Sequence, residues 1–393
     1  MSVPSSYIQV DRKRQQKARA YARTRRWLLL VELVLGMLYL LAWLLSDTAL
    51  TLRDRLEAFV ASPWLVVAGF ALVLGGLYLL LASPLSYYSG FILPHRYGLS
   101  RQTLAGWIED QIKGVALGGG LGLLLLEGMY ALLRLAPDRW WIWAGLGYLG
   151  VVVVLANLLP TVIAPLFFKF EPLTEAVNDR AQRVRYVALA ERLRRLYAHA
   201  GTKVRGVYRF DMSRRTTAAN AAVIGLGNTR RIILADTLLD NFSDDEIETV
   251  MAHELGHHIH RDLLKGVLVQ SVLTMGELWL ADLALRWGVG AFGFQNLADV
   301  AALPWLVLVL GVFGLVTMPL SNAWSRWRER MADQYALEAT RKPDAFASAM
   351  ARLANQNLAE AEPARWVMWL LYDHPPIGER LQRAESFRSS ELF

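Results

Sequence analysis

His253-Glu254-Leu255-Gly256-His257 is the segment of this chain best suited to chemistry. On a helix, residues four apart stand one turn apart on one face, so the two imidazoles can share a single tetrahedral metal ion. Glu254 is rotated about 100° from His253, beside that ion rather than on it, where a carboxylate can hold a water and take its proton. Ser243 and Glu246 have the spacing of a capping box, so the helix should start there. Ile247, Met251, Leu255 and Ile259 recur at i, i+4 on the opposite side and should seat it on an apolar core. The 393 residues include no cysteine, which excludes thiolate ligands and disulfides and leaves seven histidines and the carboxylates as donors. His258 and His260 do not share the geometry of the pair and read as supporting or surface residues.

A catalytic zinc needs a third protein ligand. The run does not continue as HExxHxxGxxH, since His260 and Leu263 stand where Gly and His are needed. Two acids compete. Glu277 has the spacing of soluble thermolysin-like enzymes, but Leu263 to Leu285 reads as one continuous apolar helix; if it extends the motif helix, Glu277 lies about 30 Å from His257. Glu329 has Asp333 one turn beyond it on the same face, which suits a ligand plus a carboxylate that orients a ligating histidine. The spacing favours Glu329.

These residues sit in a chain whose apolar content is clumped. Hydrophobic residues make up 54%, mean hydropathy is +0.27, and six stretches approach or exceed the length of about 20 residues that crosses a bilayer. They are Trp27 to Leu45, Trp64 to Ala82, Val115 to Leu135, Trp141 to Phe168, Leu263 to Leu285 and Pro304 to Leu320, the last being the shortest. Lys and Arg crowd the first 26 residues, recur at Arg96, Arg101 and Lys113, and are dense from Lys169 to Arg261; the alternate connectors carry few, and none falls between Gly288 and Leu303. Positive charge thus alternates side by side with the spans, as expected for six crossings with both termini and the motif in the cytoplasm. The net charge of +7 lies beside apolar runs, where it suits anionic lipid rather than nucleic acid. The first apolar run is too long for a signal-peptide core and no small-x-small cleavage site follows it.

The expected organisation is a basic cytoplasmic tail (1–26), four spans (27–168) around a cytoplasmic polar loop (84–113), a cytoplasmic segment holding the motif (169–262), two spans (263–321) and a polar C-terminal segment (322–393). Within 169–262, Glu175 to Ala200 reads as a basic amphipathic helix stopped by Gly201. Strand-like runs follow at Lys203 to Phe210, Asn220 to Leu226 and Arg231 to Ala235, the last two joined by a Gly227-Asn228 turn, so a small β-sheet is expected. Acids within the spans, Glu32, Glu127, Glu277 and Asp282, are expensive against lipid and are expected to face a hydrated interior.

At this point the chain resembles the M48 family of zinc metalloproteases, most closely its Ste24-like branch, the CAAX prenyl proteases. Four patches carry the likeness: Leu93 to Ser100 with Gln102-Thr103; Ile163 to Phe167 leading to Lys169-Phe170; Asn220 to Arg261 around the motif; and Glu329 to Asp333 followed by His374-Pro375-Pro376. The resemblance covers most of the chain from about Trp64 onward. With the six apolar runs, it implies an α-helical multi-pass membrane protein (about six spans here) with a cytoplasmic, zincin-like metalloprotease domain containing a small β-sheet. It implies one zinc per chain on His253, His257 and Glu329, Glu254 as general base and Asp333 as support. Asn220 and Ala221 would lie on a substrate-binding edge strand. His374, by its residues alone an exposed loop histidine before two prolines, would reach the site to bind substrate or oxyanion.

The expected substrate is a peptide or protein, lipidated or membrane-associated, with membrane lipid as the other partner. The chain departs from the branch at Ala222, where an aromatic is common, at Ala218 and Ala219, where polar residues are usual, and in having about six spans rather than seven. Its lack of cysteine, its excess of Arg over Lys and its size suggest a bacterial plasma membrane, where a clearance protease similar to the HtpX-like members is an alternative reading. A scaffold or transporter with a structural zinc is a third; Glu254 argues against it, because a structural site has no use for that carboxylate.

Overall fold

In lipid a long apolar run can satisfy its backbone only as a helix, and the runs noted above fold that way. The computed structural model describes residues 10–177, 179–225 and 230–390. Among these, six helical segments are long and apolar enough to cross a bilayer. The first is α1 (Arg12–Leu45), capped by Asp11, whose carboxylate accepts from the backbone N–H of Lys13 and Arg14. A short helix, α2 (Thr48–Phe59), leads to α3 (Pro63–Tyr87), which continues through a π-turn (Tyr88–Ile92) into α4 (Leu93–Arg96). Next come α5 (Leu104–Leu135) and α6 (Trp140–Leu158).

The basic residues expected as a tail therefore belong largely to α1. They dock on the C-terminal part of the chain: Arg14 Nη1 donates to the Asn355 carbonyl at 3.0 Å, Gln15 Nε2 to that of Ala359 at 3.0 Å, and Arg26 pairs with Glu360 at 2.8 Å. The polar loop expected at 84–113 is also mostly helix, leaving 97–103 as the connector. Its aromatic residues explain the difference, because Tyr87 and Phe91 pack on Trp107 with ring centroids 5.5 and 6.0 Å apart. The fourth span ends at Leu158 rather than Phe168; prolines at 160 and 165 lack the N–H a helix needs, and the chain leaves by π and 3-10 turns.

Beyond the fourth span lie β1 (Phe170–Pro172), α7 (Arg180–His199), β2 (Val207–Phe210), β3 (Ala221–Ile224), β4 (Arg231–Ala235), α8 (Asp236–Asn241) and α9 (Asp244–Ile259). The strands form one sheet in the order β1-β2-β4-β3, antiparallel except for β2 beside β4. Strand β3 is thus an edge. Strand β1 was not foreseen, being three residues long. The Gly227-Asn228 turn and Leu226 lie outside the described residues. Ile232 and Leu234 of β4, Tyr186 and Tyr197 of α7, and Ile247, Met251 and Leu255 of α9 are fully buried in a common core. Ile259, expected in that stripe, is exposed because α9 ends there.

The chain then turns at Arg261 (φ 54°) into α10 (Asp262–Phe292). A 3-10 turn (Val300–Ala302) precedes α11 (Leu303–Thr340), followed by α12 (Pro343–Gln356), α13 (Arg365–Leu371) and α14 (Ile377–Ser390). The last span, expected to stop at Leu320, is therefore part of one 38-residue helix that continues into the polar region. Asp282 is not a chamber-facing acid: it is buried, accepting from Trp140 Nε1 at 2.7 Å and Arg286 Nε at 2.8 Å, so it ties α6 to α10. On the side of the membrane region away from α9, Arg53 of α2 pairs with Asp299 at 2.5 Å.

Candidate active site

Helix α9 opens with the expected capping box: Glu246 N donates to Ser243 Oγ at 3.3 Å, and Ser243 N donates to Glu246 Oε2 at 2.7 Å. The other oxygen of Glu246 accepts from Ser348 and, at 2.8 Å, from Arg352 Nε, fastening α9 to α12. Inside the motif, Gly256 has a role that its spacing does not announce. A Cβ there would stand 3.0 Å from Ala332 Cα and 3.2 Å from its carbonyl oxygen. Only a bare Cα lets α9 and α11 approach this closely, and that approach sets Glu329 and Asp333 against the histidines.

The Nε2 atoms of His253 and His257 lie 3.2 Å apart. Glu329 places Oε2 3.3 Å from His253 Nε2 and Oε1 3.2 Å from His257 Nε2. Both Nδ1 atoms are taken: that of His253 donates to Asp333 at 2.9 Å and that of His257 to Asp262 at 2.8 Å. A carboxylate only accepts, so the protons sit on Nδ1 and both Nε2 lone pairs converge with the Glu329 carboxylate. Lone pairs in such an array repel unless a cation lies between them. Glu329 Oε2 is accordingly a buried oxygen without a hydrogen-bond partner. Tetrahedral zinc at about 2.0–2.1 Å from its ligands sets them about 3.3 Å apart, close to the separations here. Burial disfavours charge on His253, yet Asp333 and Glu329 outweigh it and push its pKa up to about 9, so the pocket favours a positive charge.

Among the described residues, this trio is the group of histidines and carboxylates arranged to hold a metal ion. Glu277 is not part of it; its helix leads away from α9 after the turn at Arg261. The supporting shell contains residues that sequence reasoning missed. Arg380 of α14 is buried and grips Asp333 with two nitrogens, Nε at 3.0 Å from Oδ2 and Nη2 on Oδ1. Arg328 Nε stands 3.3 Å from Asp262 Oδ2. Each imidazole is thus backed by a carboxylate, and each carboxylate by a guanidinium.

A cleft of about 390 Å³ opens beside the trio, lined by Asn220, Ala221, Val250, His253, Glu254 and His374 among others. Burial pushes the Glu254 carboxyl up in pKa, with the neighbouring His253 and His257 pulling the other way. His374 Nε2 is 3.4 Å from Glu329 Oε1, and its Nδ1 donates to Asp373 at 2.8 Å. Asn220 is exposed at the start of β3, and its carbonyl accepts from Ala235 N at 3.0 Å. Alternation along a strand therefore turns the N–H and C=O of Ala221 away from β4, toward the open edge. Asn357 braces this corner, its side chain accepting from Ala219 N at 2.9 Å and donating to Ala219 O at 3.2 Å.

Six spans, a convergent His-His-Glu group and an adjoining cleft describe an integral-membrane metalloprotease, and comparison with known proteins agrees. Residues 184–388 match the family described as Peptidase family M48, and residues 2–169 match the one described as CAAX prenyl protease N-terminal, five membrane helices. The chain belongs to peptidase family M48. It is 29% identical over 372 residues to the uncharacterized metalloprotease YhfN of Bacillus subtilis, spanning 94% of this chain and 84% of that one. It is 30% identical over 313 residues to a CAAX prenyl protease 1 homolog of Oryza sativa subsp. japonica, spanning 78% and 70%. The crystal structure of S. mikatae Ste24p superposes with a TM-score of 0.84 over 97% of this chain and 91% of that one, at 23% identity, and so shares the fold.

Proposed function

We propose that this chain is a zinc-dependent endopeptidase in which His253, His257 and Glu329 hold the ion and Glu254 is the general base. The observation that carries the reading is the half-buried Glu254 carboxylate in the same cleft as three convergent donors. Zinc bound there supplies Lewis acidity, which makes water a competent nucleophile near neutral pH. Glu254 takes the proton of the attacking water on a carboxylate oxygen and delivers it to the amide nitrogen that leaves. Its raised pKa suits both halves of that transfer, because a carboxyl closer to working pH gains and loses a proton more easily. His374, held by Asp373, presents Nε2 to the side of the cleft where negative charge develops on the carbonyl oxygen.

The free edge of β3 suits an extended peptide, whose backbone can pair with Ala221 while Asn220 contacts it from the strand's start. The substrate class we propose is a peptide segment of a membrane-associated protein, with CAAX-type termini as the first to try given the rice relative's description. The distribution of Lys and Arg supports a reading in which the cleft faces the cytoplasm.

The test compares wild type with Glu254→Gln for bound zinc and for cleavage of a farnesylated CAAX peptide beside an unmodified unfolded polypeptide. Equal zinc with cleavage by the wild type alone is the expected result, and the peptide cut reports whether lipidation is required. Equal cleavage by the variant, or no zinc in either protein, sinks the reading.

A further inference from the structure

Helix α13 breaks the rule that a short helix on a protein surface buries its large apolar side chains. Val367 is buried, but Trp366 and Trp369 are 64% and 62% exposed, with Leu370 also exposed on the same side. Two indoles and a leucine standing free on seven residues form a patch that water disfavours.

The level at which α13 is held is fixed by α11. Asn322 Nδ2 donates to Leu370 O at 2.7 Å, and Arg326 Nη1 donates to Met368 O at 3.0 Å and to Tyr372 O. These anchors lie two and six residues beyond Leu320, where the apolar run of the span ends, hence about 3–9 Å along the helix axis. That distance is the depth of the headgroup layer on one side of a bilayer. The apolar surface of α11 also continues past the span: Val316 (69% exposed), Leu320 (67%), Trp327 and Met331 follow one another at spacings of 4, 7 and 4, a single stripe at helical period. Glu329 and Asp333 lie roughly on the opposite side of the same helix. Trp324 and Trp327 pack at a centroid distance of 5.1 Å, giving α11 its own aromatic collar at this level. Arg365, exposed at the start of α13, adds a positive charge where phosphate groups would be.

We propose that α13, with Trp327 of α11, lies in the boundary between headgroups and acyl chains, its partner being the lipid surface. This seat positions His374: only Tyr372 and Asp373 separate α13 from that residue, so the bilayer sets the height of the loop over the metal-binding side chains. Trp366 and Trp369 are positioning residues. The coupling to His374 rests on the function proposed above, whereas the contact with lipid does not.

Because the chain has no cysteine, single nitroxide labels can be introduced as Trp366→Cys, Trp369→Cys and, as a control on the exposed face of α7, Val184→Cys, in the full protein in phosphatidylcholine/phosphatidylglycerol bilayers. Labels at 366 and 369 should collide with dissolved oxygen more than with a nickel chelate, and the label at 184 should show the reverse. Nickel access dominating at 366 and 369 overturns the contact with lipid, as does protection of these positions only when a peptide substrate is added, which would give the face to substrate instead. In the same bilayers, Trp366→Ser/Trp369→Ser should lower kcat roughly tenfold or more with KM and zinc content little changed, and Trp→Phe at both positions should restore it. Unchanged kcat in the serine variant overturns the positioning of His374. A fall that phenylalanine does not rescue overturns it as well.

Discussion

The carboxylate of Asp333 is shared between His253, whose Nδ1 lies 2.9 Å from Oδ1, and the buried guanidinium of Arg380, whose Nε lies 3.0 Å from Oδ2. Replacing it by Asn keeps the size but removes the charge that orients the imidazole and balances Arg380. Zinc affinity in Asp333→Asn should fall about tenfold to a hundredfold, read by competition with a chromogenic chelator. Zinc binding unchanged from wild type would mean that the imidazole is held by packing alone. Stripping the wild type of metal should abolish cleavage and lower Tm, with both restored by added zinc.

The pH profile should have two limbs with different owners. In the proposed mechanism Glu254 must be ionised to accept a proton, and burial raises its pKa, so activity should be present above that pKa and be lost as pH falls through a value higher than the ordinary carboxylate figure of about 4.3. In the same proposal His374 must be protonated to face an oxyanion. Its hydrogen bond to Asp373 raises its pKa despite partial desolvation, with the charge of Glu329 adding to the effect, so that limb should be lost as pH rises through the raised value. Asp373→Asn should move the alkaline limb of kcat/KM to lower pH and leave the acid limb in place. A shift of the acid limb instead would reassign the two groups.

Gly256→Ala places a methyl against the backbone of Ala332, where nothing can swing aside. The helices must separate or the turn deform, at about 1–3 kcal/mol. A lower Tm together with weakened zinc binding is expected, since the same displacement withdraws Glu329. Normal zinc affinity in this variant would show that the two helices do not need to touch.

At the start of α9, Arg192 and Lys342 both hold Asp245 and Glu248; Arg192 is 2.7 Å and Lys342 2.6 Å from Glu248. These partners depress the pKa of Asp245, and they outweigh the burial of Glu248 and depress that one too. Their stabilisation is therefore present above the unfolded values of about 3.9 and 4.3 and is lost as pH falls through the lower folded ones. Asp245→Asn/Glu248→Gln should lower stability at pH 7 by roughly 1 kcal/mol, the pair being partly exposed and screened. The gap from wild type in thermal scans should narrow as pH falls below the unfolded values; a gap independent of pH would assign the effect to packing.

What could be read from sequence alone follows a physical divide. His253, Glu254, His257, Glu329 and Asp333 lie on two helices at spacings that a period of 3.6 converts directly into shared faces, so their relation was open to inspection. Arg380 is 127 residues from His253 and, taken locally, looks like any surface charge of a polar helix; only the folded contact of α14 with α11 reveals it. Asp262 is near in sequence, but its bond to His257 depends on the chain reversing at Arg261, where a residue other than Gly adopts φ 54°. The helical content of 84–113 was hidden because Pro84, Gly90, Pro94 and Gly98 interrupt any helical period in its sequence, while a few aromatic contacts decide its conformation. Strand β1 offers three residues, too few for alternation to show.

Helix α11 has one more consequence, for how the protein is made. Glu329 follows the sixth span on the same continuous helix, so a nascent chain that has completed α9 possesses both histidines but not their third donor. The trio can therefore be assembled only after the final hydrophobic segment has been synthesised. A chain stalled before Glu329 would thus carry two of the three donors and no complete metal site.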